Sequence, residues 1–360
     1  MGTGNGIGNP AELNAETEMT SLERSLRAIR FQKPDRVPVI PQTHIWSLSH
    51  YGSSSEACMK NGALYAELQL KAQRDFGWDG IFVATDSVAL AHCLGAPVET
   101  TEDGVAPASK GLLESLKDAA ALKLPDPRET RLNEWITATR LLVEEAGDRV
   151  LIIARADQGP FSLACQVRGM QDFMMELGTR GHPDDIHRLL RFSTEYVWQF
   201  AALLLAAGAH VVSIGDALAS GSVVSPNTFE EFAFPYQQEI ARRVHQQGGL
   251  LSIHMCGQST AIINRLVDTG ADVLEIDVQT DFDAARNAAR GKSCLLGNVD
   301  TSEIMTFGSP EAVTKECRWR LERAKPESGY ILSSGCALAR NTPPENIHAM
   351  VRAASEFGKY

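Results

Sequence analysis

The residues in this chain best suited to chemistry are one histidine and two cysteines. His254 and Cys256 stand two positions apart in the stretch H-M-C-G at 254–257, which ends an apolar run. Alternate side chains of an extended strand point to one face, so the imidazole and the thiol should lie side by side. Cys336 follows a second apolar run at 330–332. Imidazole and thiolate are ligands that zinc prefers. Three ligands, with no second closely spaced pair of ligand residues in the sequence, are typical of a catalytic zinc site with one open coordination position.

Two points about this group stay open at the level of sequence. Cys256 and Cys336 could instead be buried apolar thiols, which is common for free cysteines. A fourth ligand cannot be assigned: Asp216, Glu275 and His44 are candidates, and so is an exchangeable water or a substrate sulfur. Two thiolates and one imidazole would leave a zinc centre roughly neutral, a modest Lewis acid that still lets a bound thiol lose its proton. This chemistry suits transfer of an alkyl group to or from sulfur.

The elements that would position these residues form an alternating pattern. Eight short apolar runs alternate with helix-like segments, at 37–40, 80–84, 150–154, 210–214, 250–253, 272–276, 293–296 and 330–332. Strands separated by long amphipathic segments indicate βαβ units and a parallel sheet. Eight such units predict an α/β fold of the (β/α)8 TIM-barrel type, with an open doubly wound sheet as the alternative.

Several polar residues follow these runs, where the active site of such a barrel lies. We therefore predict that a group of strand-end side chains binds substrate: His44, Asp86, Arg155, Asp216 and Asn298. Arg155 could hold an anionic group of the substrate, or it could form an internal ion pair with Asp157 or Asp216. The sequence alone does not separate these two roles.

The domain organisation is predicted to be simple. Residues 21–360 form one barrel domain, and residues 1–20, rich in Gly, Asn and Glu, form a flexible N-terminal tail without the features of a signal peptide. The segment 97–128 interrupts the alternation, and we expect an insertion that folds over one mouth of the barrel.

Composition excludes several classes of function. The chain has 360 residues, of which 44% are hydrophobic and 22% charged, and no apolar run approaches the roughly 20 residues that cross a bilayer. A net charge of −11 disfavours nucleic acid as a partner. Seven cysteines without regular spacing argue against a disulfide framework, so we expect a cytoplasmic protein with no membrane partner.

A set of motifs from residue 23 to residue 347 resembles a known family. The motifs are E-R-S-L-R-A at 23–28, P-D-R-V-P at 34–38, S-P-N-T-F-E-E-F at 225–232, H-M-C-G at 254–257, L-G-N-V-D at 296–300, G-Y-I-L-S at 329–333, G-C at 335–336 and T-P-P-E-N-I at 342–347. They resemble the uroporphyrinogen decarboxylase superfamily. The H-x-C-G with a late cysteine is specific to its corrinoid-dependent methyltransferase branch, which includes methylcobalamin:coenzyme M methyltransferases.

The resemblance implies a zinc site and a methyl-transfer reaction. It implies that His254, Cys256 and Cys336 bind zinc, and that a methyl group moves between the cobalt of a corrinoid and a small molecule. Decarboxylases of the superfamily carry an arginine-rich segment soon after the opening motif, whereas residues 41–48 here contain no arginine. The chain also lacks the D-x-H-x-x-G motif of corrinoid carriers, so the corrinoid should arrive on a separate protein or free in solution.

The direction of transfer is left open by the resemblance. In one reading the methyl passes from the corrinoid to an acceptor such as a thiol or tetrahydrofolate. In the other, a methoxylated aromatic, a methylamine or a similar donor methylates cob(I)alamin. A hypothesis of another class is a catalytically silent zinc protein, which the complete ligand set disfavours.

Overall fold

Seven parallel strands form one sheet in the computed structural model, which describes residues 19–84, 86–101, 104–179 and 182–360. The strands are β1 Gly80–Val83, β4 Leu151–Gln158, β5 Val211–Gly215, β6 Leu250–Met255, β7 Val273–Ile276, β8 Cys294–Val299 and β9 Tyr330–Ser334, and a separate antiparallel hairpin consists of β2 Val98–Thr101 and β3 Gly104–Pro107. Each strand of the large sheet pairs with the next one along the chain. This sequential order differs from the doubly wound alternative, in which the order reverses within the sheet.

The segment 37–40 joins the two edges of this sheet and closes the barrel. Val39 forms a parallel β-bridge with Leu332 of β9, and the Ile40 amide donates to the Leu332 carbonyl at 2.9 Å. On the other side, the Asp79 amide beside β1 donates to the Val39 carbonyl at 2.8 Å. The predicted (β/α)8 barrel is thus confirmed, with its first strand reduced to a single bridge.

Helices follow the strands and cover the outside of the sheet. Within the described residues they are α1 Ser21–Ile29, α2 His44–His50, α3 Ser55–Met59, α4 Gly62–Phe76, α5 Ala89–Cys93, α6 Leu132–Ala146, α7 Pro160–Arg168, α8 Met170–Thr179, α9 Pro183–Ala206, α10 Pro226–Phe232, α11 Phe234–Gln246, α12 Ile263–Val267, α13 Phe282–Ala289, α14 Pro310–Ala324 and α15 Pro344–Phe357. None of them combines the length and the apolar character that crossing a membrane requires.

Inward-facing side chains divide the barrel interior into an apolar floor and a polar layer. The floor contains Phe82, Ile153, Val211, Val273 and Leu296, and α1 contributes Ala28 and Ile29 to the same cluster. Two residues further along their strands come the buried polar side chains of Arg155, Ser213 and Glu275. Because side chains alternate along a strand, these groups face the same interior, one layer nearer to the C-terminal mouth.

A buried ionic cluster fixes α1 and the segment 37–40 at the N-terminal end of the barrel, opposite its C-terminal mouth. The Asp79 carboxylate is fully buried, and it accepts hydrogen bonds from Arg24 Nη1 at 2.8 Å and from Arg36 Nη1 at 2.7 Å. It also accepts the Val39 amide at 2.8 Å, while Arg24 binds Asp35 at 2.6 Å. The residues of the two opening motifs therefore hold the closing segment against β1.

Two parts of the predicted domain organisation remain predictions. The tail expected over 1–20 lies outside the described residues except for Met19 and Thr20. The segment 97–128 contains the β2–β3 hairpin and two short 3-10 helices, Leu116–Ala121 and Pro127–Glu129. It is joined to the barrel at α7, where the Leu112 amide donates to the Val167 carbonyl at 2.7 Å.

Candidate metal centre

The fold brings together the histidine and the two cysteines that the sequence singles out. His254 lies near the end of β6, Cys256 follows that strand, and Cys336 follows β9. His254 Nε2 lies 2.8 Å from Cys256 Sγ and 3.7 Å from Cys336 Sγ, and the two sulfurs are 3.4 Å apart. Donor atoms of a tetrahedral zinc site are separated by about 3.6–3.8 Å, given the usual zinc–ligand bond lengths. The 3.4 and 3.7 Å separations lie close to this spacing, whereas the 2.8 Å separation of His254 Nε2 and Cys256 Sγ would have to increase when an ion binds.

Glycines next to each cysteine explain why the motifs have their form. Gly257 has a φ of 80°, a conformation that glycine adopts without strain, and a Cβ there would lie 2.6 Å from Ser222 Oγ. A Cβ on Gly335 would lie 2.9 Å from the backbone nitrogen of Val278. The backbone must pass close to neighbouring loops at both positions, and glycine permits this.

The two thiols differ in pKa because they are hydrogen-bonded to each other. The hydrogen bond from the Cys256 thiol lowers the pKa of Cys336, and His254 lowers it further, against the opposing effect of burial. The same hydrogen bond, together with burial, raises the pKa of Cys256. Both cysteines bind a metal ion as thiolates, so metal binding would release the protons of these thiols.

The donor set and the orientation of the imidazole fit a zinc ion. One nitrogen and two sulfurs suit this borderline-soft metal. His254 Nε2 faces the sulfurs, whereas Nδ1 is buried without a hydrogen bond and lies 3.4 Å from Glu275 Oε2. Within the described residues, no fourth His, Cys, Asp or Glu joins this group of mutually close ligand atoms. His254, Cys256 and Cys336 would hold the metal and leave one position open.

Glu275 is the centre of a buried polar network beside the site. Its Oε2 accepts from Arg155 Nη2 at 2.6 Å, and its Oε1 accepts from Ser213 Oγ at 2.6 Å and from Ser252 Oγ at 2.7 Å. Burial opposes ionisation, but the Arg155 guanidinium and the other partners lower the pKa of Glu275 below its ordinary value. The sequence reasoning does not single out Ser213 or Ser252, although each stands two positions after an apolar residue of its own run.

Arg155 and His44 border this network. Arg155 pairs with Glu275 rather than with Asp157 or Asp216, and its Nη1 is buried without a partner. His44 begins α2 and is also buried, and its pKa is lowered to about 4, first by burial and then by the positive charge of Arg155. His44 is therefore neutral at physiological pH. Substrate binding by either residue remains a prediction.

The other predicted substrate-binding residues contact the protein itself. Asp216 is fully buried and accepts the Ser162 amide at 2.7 Å and Gln237 Nε2 at 2.9 Å. Asp86 Oδ2 forms an ion pair with Arg131 at 2.6 Å. Their roles as substrate ligands stay predictions.

Asn298 is held in the same way between the loop after β7 and helix α14. Its amide nitrogen donates to the carbonyls of Asp277 and Thr280, both at 3.1 Å, and its amide oxygen accepts from Arg320 Nε at 2.9 Å. These contacts orient the loop after β7 next to Cys336, and substrate binding by Asn298 stays a prediction.

The fold and the site define a class of protein, a (β/α)8 barrel with an imidazole and two thiols at its C-terminal mouth. The chain belongs to the uroporphyrinogen decarboxylase (URO-D) family, whose model matches residues 20–357. The superfamily resemblance predicted from the motifs is thus confirmed.

The relatives found by sequence comparison include two activities of this family. The chain is 26% identical over 353 residues to the methylcobamide:CoM methyltransferase MtbA of Methanosarcina acetivorans, covering 95% of this chain and 99% of the relative. It is 25% identical to MtaA of Methanosarcina barkeri, a methylcobamide:CoM methyltransferase, over 95% of this chain and 99% of that protein. It is also 26% identical to the uroporphyrinogen decarboxylase of Coxiella burnetii, over 93% of this chain and 95% of that enzyme.

Solved structures support the fold. A methyltransferase from Methanosarcina mazei superimposes with a TM-score of 0.85 at 24% identity, covering 94% of this chain and 99% of that one. A B12-independent methionine synthase from a Shewanella species gives a TM-score of 0.59 at 11% identity, over 89% of this chain and 96% of that one.

Proposed function

We propose that this chain is a zinc-dependent methyltransferase that moves a methyl group between a corrinoid and a small acceptor such as a thiol or tetrahydrofolate. The observation that carries the proposal is the site itself, with one imidazole and two thiols within 4.8 Å of one another at the mouth of the barrel. The methylcobamide:CoM methyltransferases among the relatives support the corrinoid as co-substrate. Residues 41–48 contain no arginine to hold the carboxylates of a porphyrinogen, which disfavours decarboxylation.

In this proposal, three residues of the site bind the metal and two others orient the substrate. His254, Cys256 and Cys336 would hold zinc, and the two cysteine thiolates would neutralise its charge. A zinc ion held there would lower the pKa of a coordinated substrate thiol and so favour its reactive thiolate form. Neutral His44 and the buried Arg155 border the site, where they would exclude water and orient the small substrate.

The corrinoid would come from outside this chain. The nearest match to the carrier motif places His187 inside α9, with its ring nitrogen 2.7 Å from the Tyr236 hydroxyl, so this histidine is engaged in helix packing. We propose a separate corrinoid protein or free methylcobalamin as the partner.

A reducing compartment suits this chemistry. All seven cysteines are free, including the pair at the site. Thiols that must bind a metal have to stay reduced, which supports the proposed cytoplasmic location.

The test combines metal analysis with a visible-spectrum assay. Purified protein should contain about one zinc per chain. It should also remove the methyl–cobalt band of methylcobalamin when coenzyme M, homocysteine or tetrahydrofolate is supplied. Activity only in reverse, from a methoxyaromatic or methylamine donor to cob(I)alamin, would identify the alternative demethylase. Zinc-free protein without corrinoid chemistry in either direction would refute the proposal.

A further inference from the structure

One buried polar atom of the proposed metal site has no hydrogen-bond partner. His254 Nδ1 is buried and makes no hydrogen bond, although its ring must present Nε2 to the two sulfurs. A neutral imidazole that binds metal through Nε2 carries its proton on Nδ1, and that proton needs an acceptor. Glu275 Oε2, at 3.4 Å, is the carboxylate oxygen next to Nδ1.

The position of Glu275 is fixed from several sides. Arg155 Nη2 donates to Oε2 at 2.6 Å, and the hydroxyls of Ser213 and Ser252 both donate to Oε1. These donors come from three different strands, β4, β5 and β6, while Glu275 lies on β7. The carboxylate is therefore held by the barrel wall and does not depend on a mobile loop.

Small residues in the wall leave space for this arrangement. Gly215 of β5 pairs with His254 in register, and a Cβ on Gly215 would lie 3.2 Å from Arg155 Nη1. A larger side chain there would displace the guanidinium. Serine on β5 and serine on β6 likewise occupy little volume while donating to Glu275.

We infer that Glu275 is a positioning residue for the metal centre: held by Arg155, Ser213 and Ser252, it accepts a hydrogen bond from Nδ1–H of His254 and so directs Nε2 toward the metal. The inference rests on the zinc site of the proposed function and deepens it. It also assigns Glu275 a role other than that of a fourth zinc ligand. No reaction step passes through Glu275, which acts only through His254.

The test measures zinc affinity, which is independent of methyl transfer. The variant Glu275→Gln keeps the shape of the side chain but removes the negative charge that accepts the Nδ1 proton. Competition with a chromogenic zinc chelator should show zinc affinity reduced about 10- to 100-fold, the usual effect of removing such a partner. Unchanged affinity would overturn the inference.

Cobalt substitution distinguishes positioning from direct ligation. Co2+ bound to Glu275→Gln should keep the visible spectrum of a site with two thiolates and one imidazole. A spectrum that reports one fewer protein ligand than in the unmodified chain would make Glu275 a ligand and overturn the inference.

Two further variants control for folding and for the loss of a carboxylate that contacts a histidine. Ser252→Ala removes one donor to Oε1 and leaves the charge in place, so it should weaken zinc binding only a few-fold. If Glu275→Gln does not fold, Ser252→Ala still tests the inference. A zinc affinity equal to that of the unmodified chain would then overturn it. Asp272→Asn is the matched control, because this carboxylate also contacts a histidine, His245 at 2.8 Å, but at the opposite end of β7. It should bind zinc like the unmodified chain, and an equal loss of affinity would show that the effect is not specific to Glu275.

Failure of the proposed function gives a different result. If the unmodified chain binds no zinc, both the function and the inference fall. If it binds zinc but transfers no methyl group, the affinity series still decides the role of Glu275.

Discussion

At the scale of single residues, Cys256 connects the metal centre to the proposed activity. Its sulfur lies 2.8 Å from His254 Nε2 and 3.4 Å from Cys336 Sγ, so it is central to the ligand group. The variant Cys256→Ala should contain no zinc and should lose methyl transfer by at least about 100-fold, since a bound metal contributes several kcal/mol to such reactions.

The control for this variant is Cys93→Ser. Cys93 is partly exposed and lies outside the metal-binding group. It should keep both zinc and activity, measured by metal analysis and by the methylcobalamin assay. Activity that survives in metal-free Cys256→Ala would show that the zinc mechanism is wrong.

His44 should make the stability of the protein depend on pH. Its pKa is about 4 in the folded chain, mainly because of burial, against an ordinary value of 6.5. The unfolded chain therefore binds more protons between these values, and the free energy of unfolding should fall as the pH drops through this window. The difference between these two pKa values corresponds to a loss of about 3 kcal/mol at most in the free energy of unfolding.

The measurement compares the unmodified chain with His44→Gln by urea unfolding at several pH values. The difference in unfolding free energy between the two proteins should change in favour of the variant from pH 6.5 down to pH 4. A difference that stays constant across this range would contradict the burial of His44 as a neutral group.

The sequence was sufficient to predict that one imidazole and two thiols lie together, but not what surrounds them. His254 and Cys256 can be found because their spacing fits one face of a strand, and Cys336 because it follows a strand that opens onto the same mouth. Arg155 is different, because its partner Glu275 lies 120 residues away and three strands further along the sheet. Only the register of β4 to β7 determines which buried charges meet inside the barrel.

At the scale of elements, the cluster around Asp79 explains the opening motifs of the family in physical terms. Arg24 and Arg36 belong to those motifs, and both donate to the fully buried Asp79 carboxylate at the N-terminal end of the barrel. This end is remote from the catalytic mouth, and residues there contribute to stability.

Removing the central carboxylate should therefore destabilise the fold. Asp79→Ala leaves two arginines without their buried partner and should lower the free energy of unfolding by about 3–5 kcal/mol. Arg27→Ala is the control on the same helix, because the Arg27–Glu23 pair is exposed, and it should cost less than about 1 kcal/mol. Urea unfolding measures both. Equal effects of the two substitutions would show that the Asp79 cluster does not stabilise the barrel.

The strands were largely predictable, and the first strand shows why prediction stops short. Each apolar run corresponds to an observed strand or, for 37–40, to one bridge. Pro38 and Pro41 lack amide protons, so this segment cannot form a full hydrogen-bond ladder. The two prolines are visible in the sequence, but the number of backbone hydrogen bonds that remain depends on how β9 and β1 approach the segment 37–40.

At the scale of the whole molecule, zinc should stabilise the folded chain. Its proposed ligands are His254 at the end of β6 and the cysteines on the loops after β6 and β9, and they come together only in the closed barrel. A zinc concentration 100 times the dissociation constant should add about 2.7 kcal/mol to the free energy of unfolding. Calorimetry should show a melting temperature several degrees higher with zinc than with a chelator.

The same experiment with Cys256→Ala isolates the contribution of the site. That variant should melt at one temperature in zinc and in chelator. A zinc-dependent increase that persists in the variant would mean that the metal binds elsewhere on the protein.

The single bridge between Val39 and Leu332 also determines when the protein can finish folding as it is synthesised. The segment 37–40 leaves the ribosome 293 residues before its partner on β9, as the numbers of Val39 and Leu332 show. Until then the segment 37–40 lacks its neighbour on one side, and the growing sheet exposes an unpaired edge that other chains could join. The barrel thus closes only after β9 has been released, and during that interval the open edge favours pairing with other chains over folding.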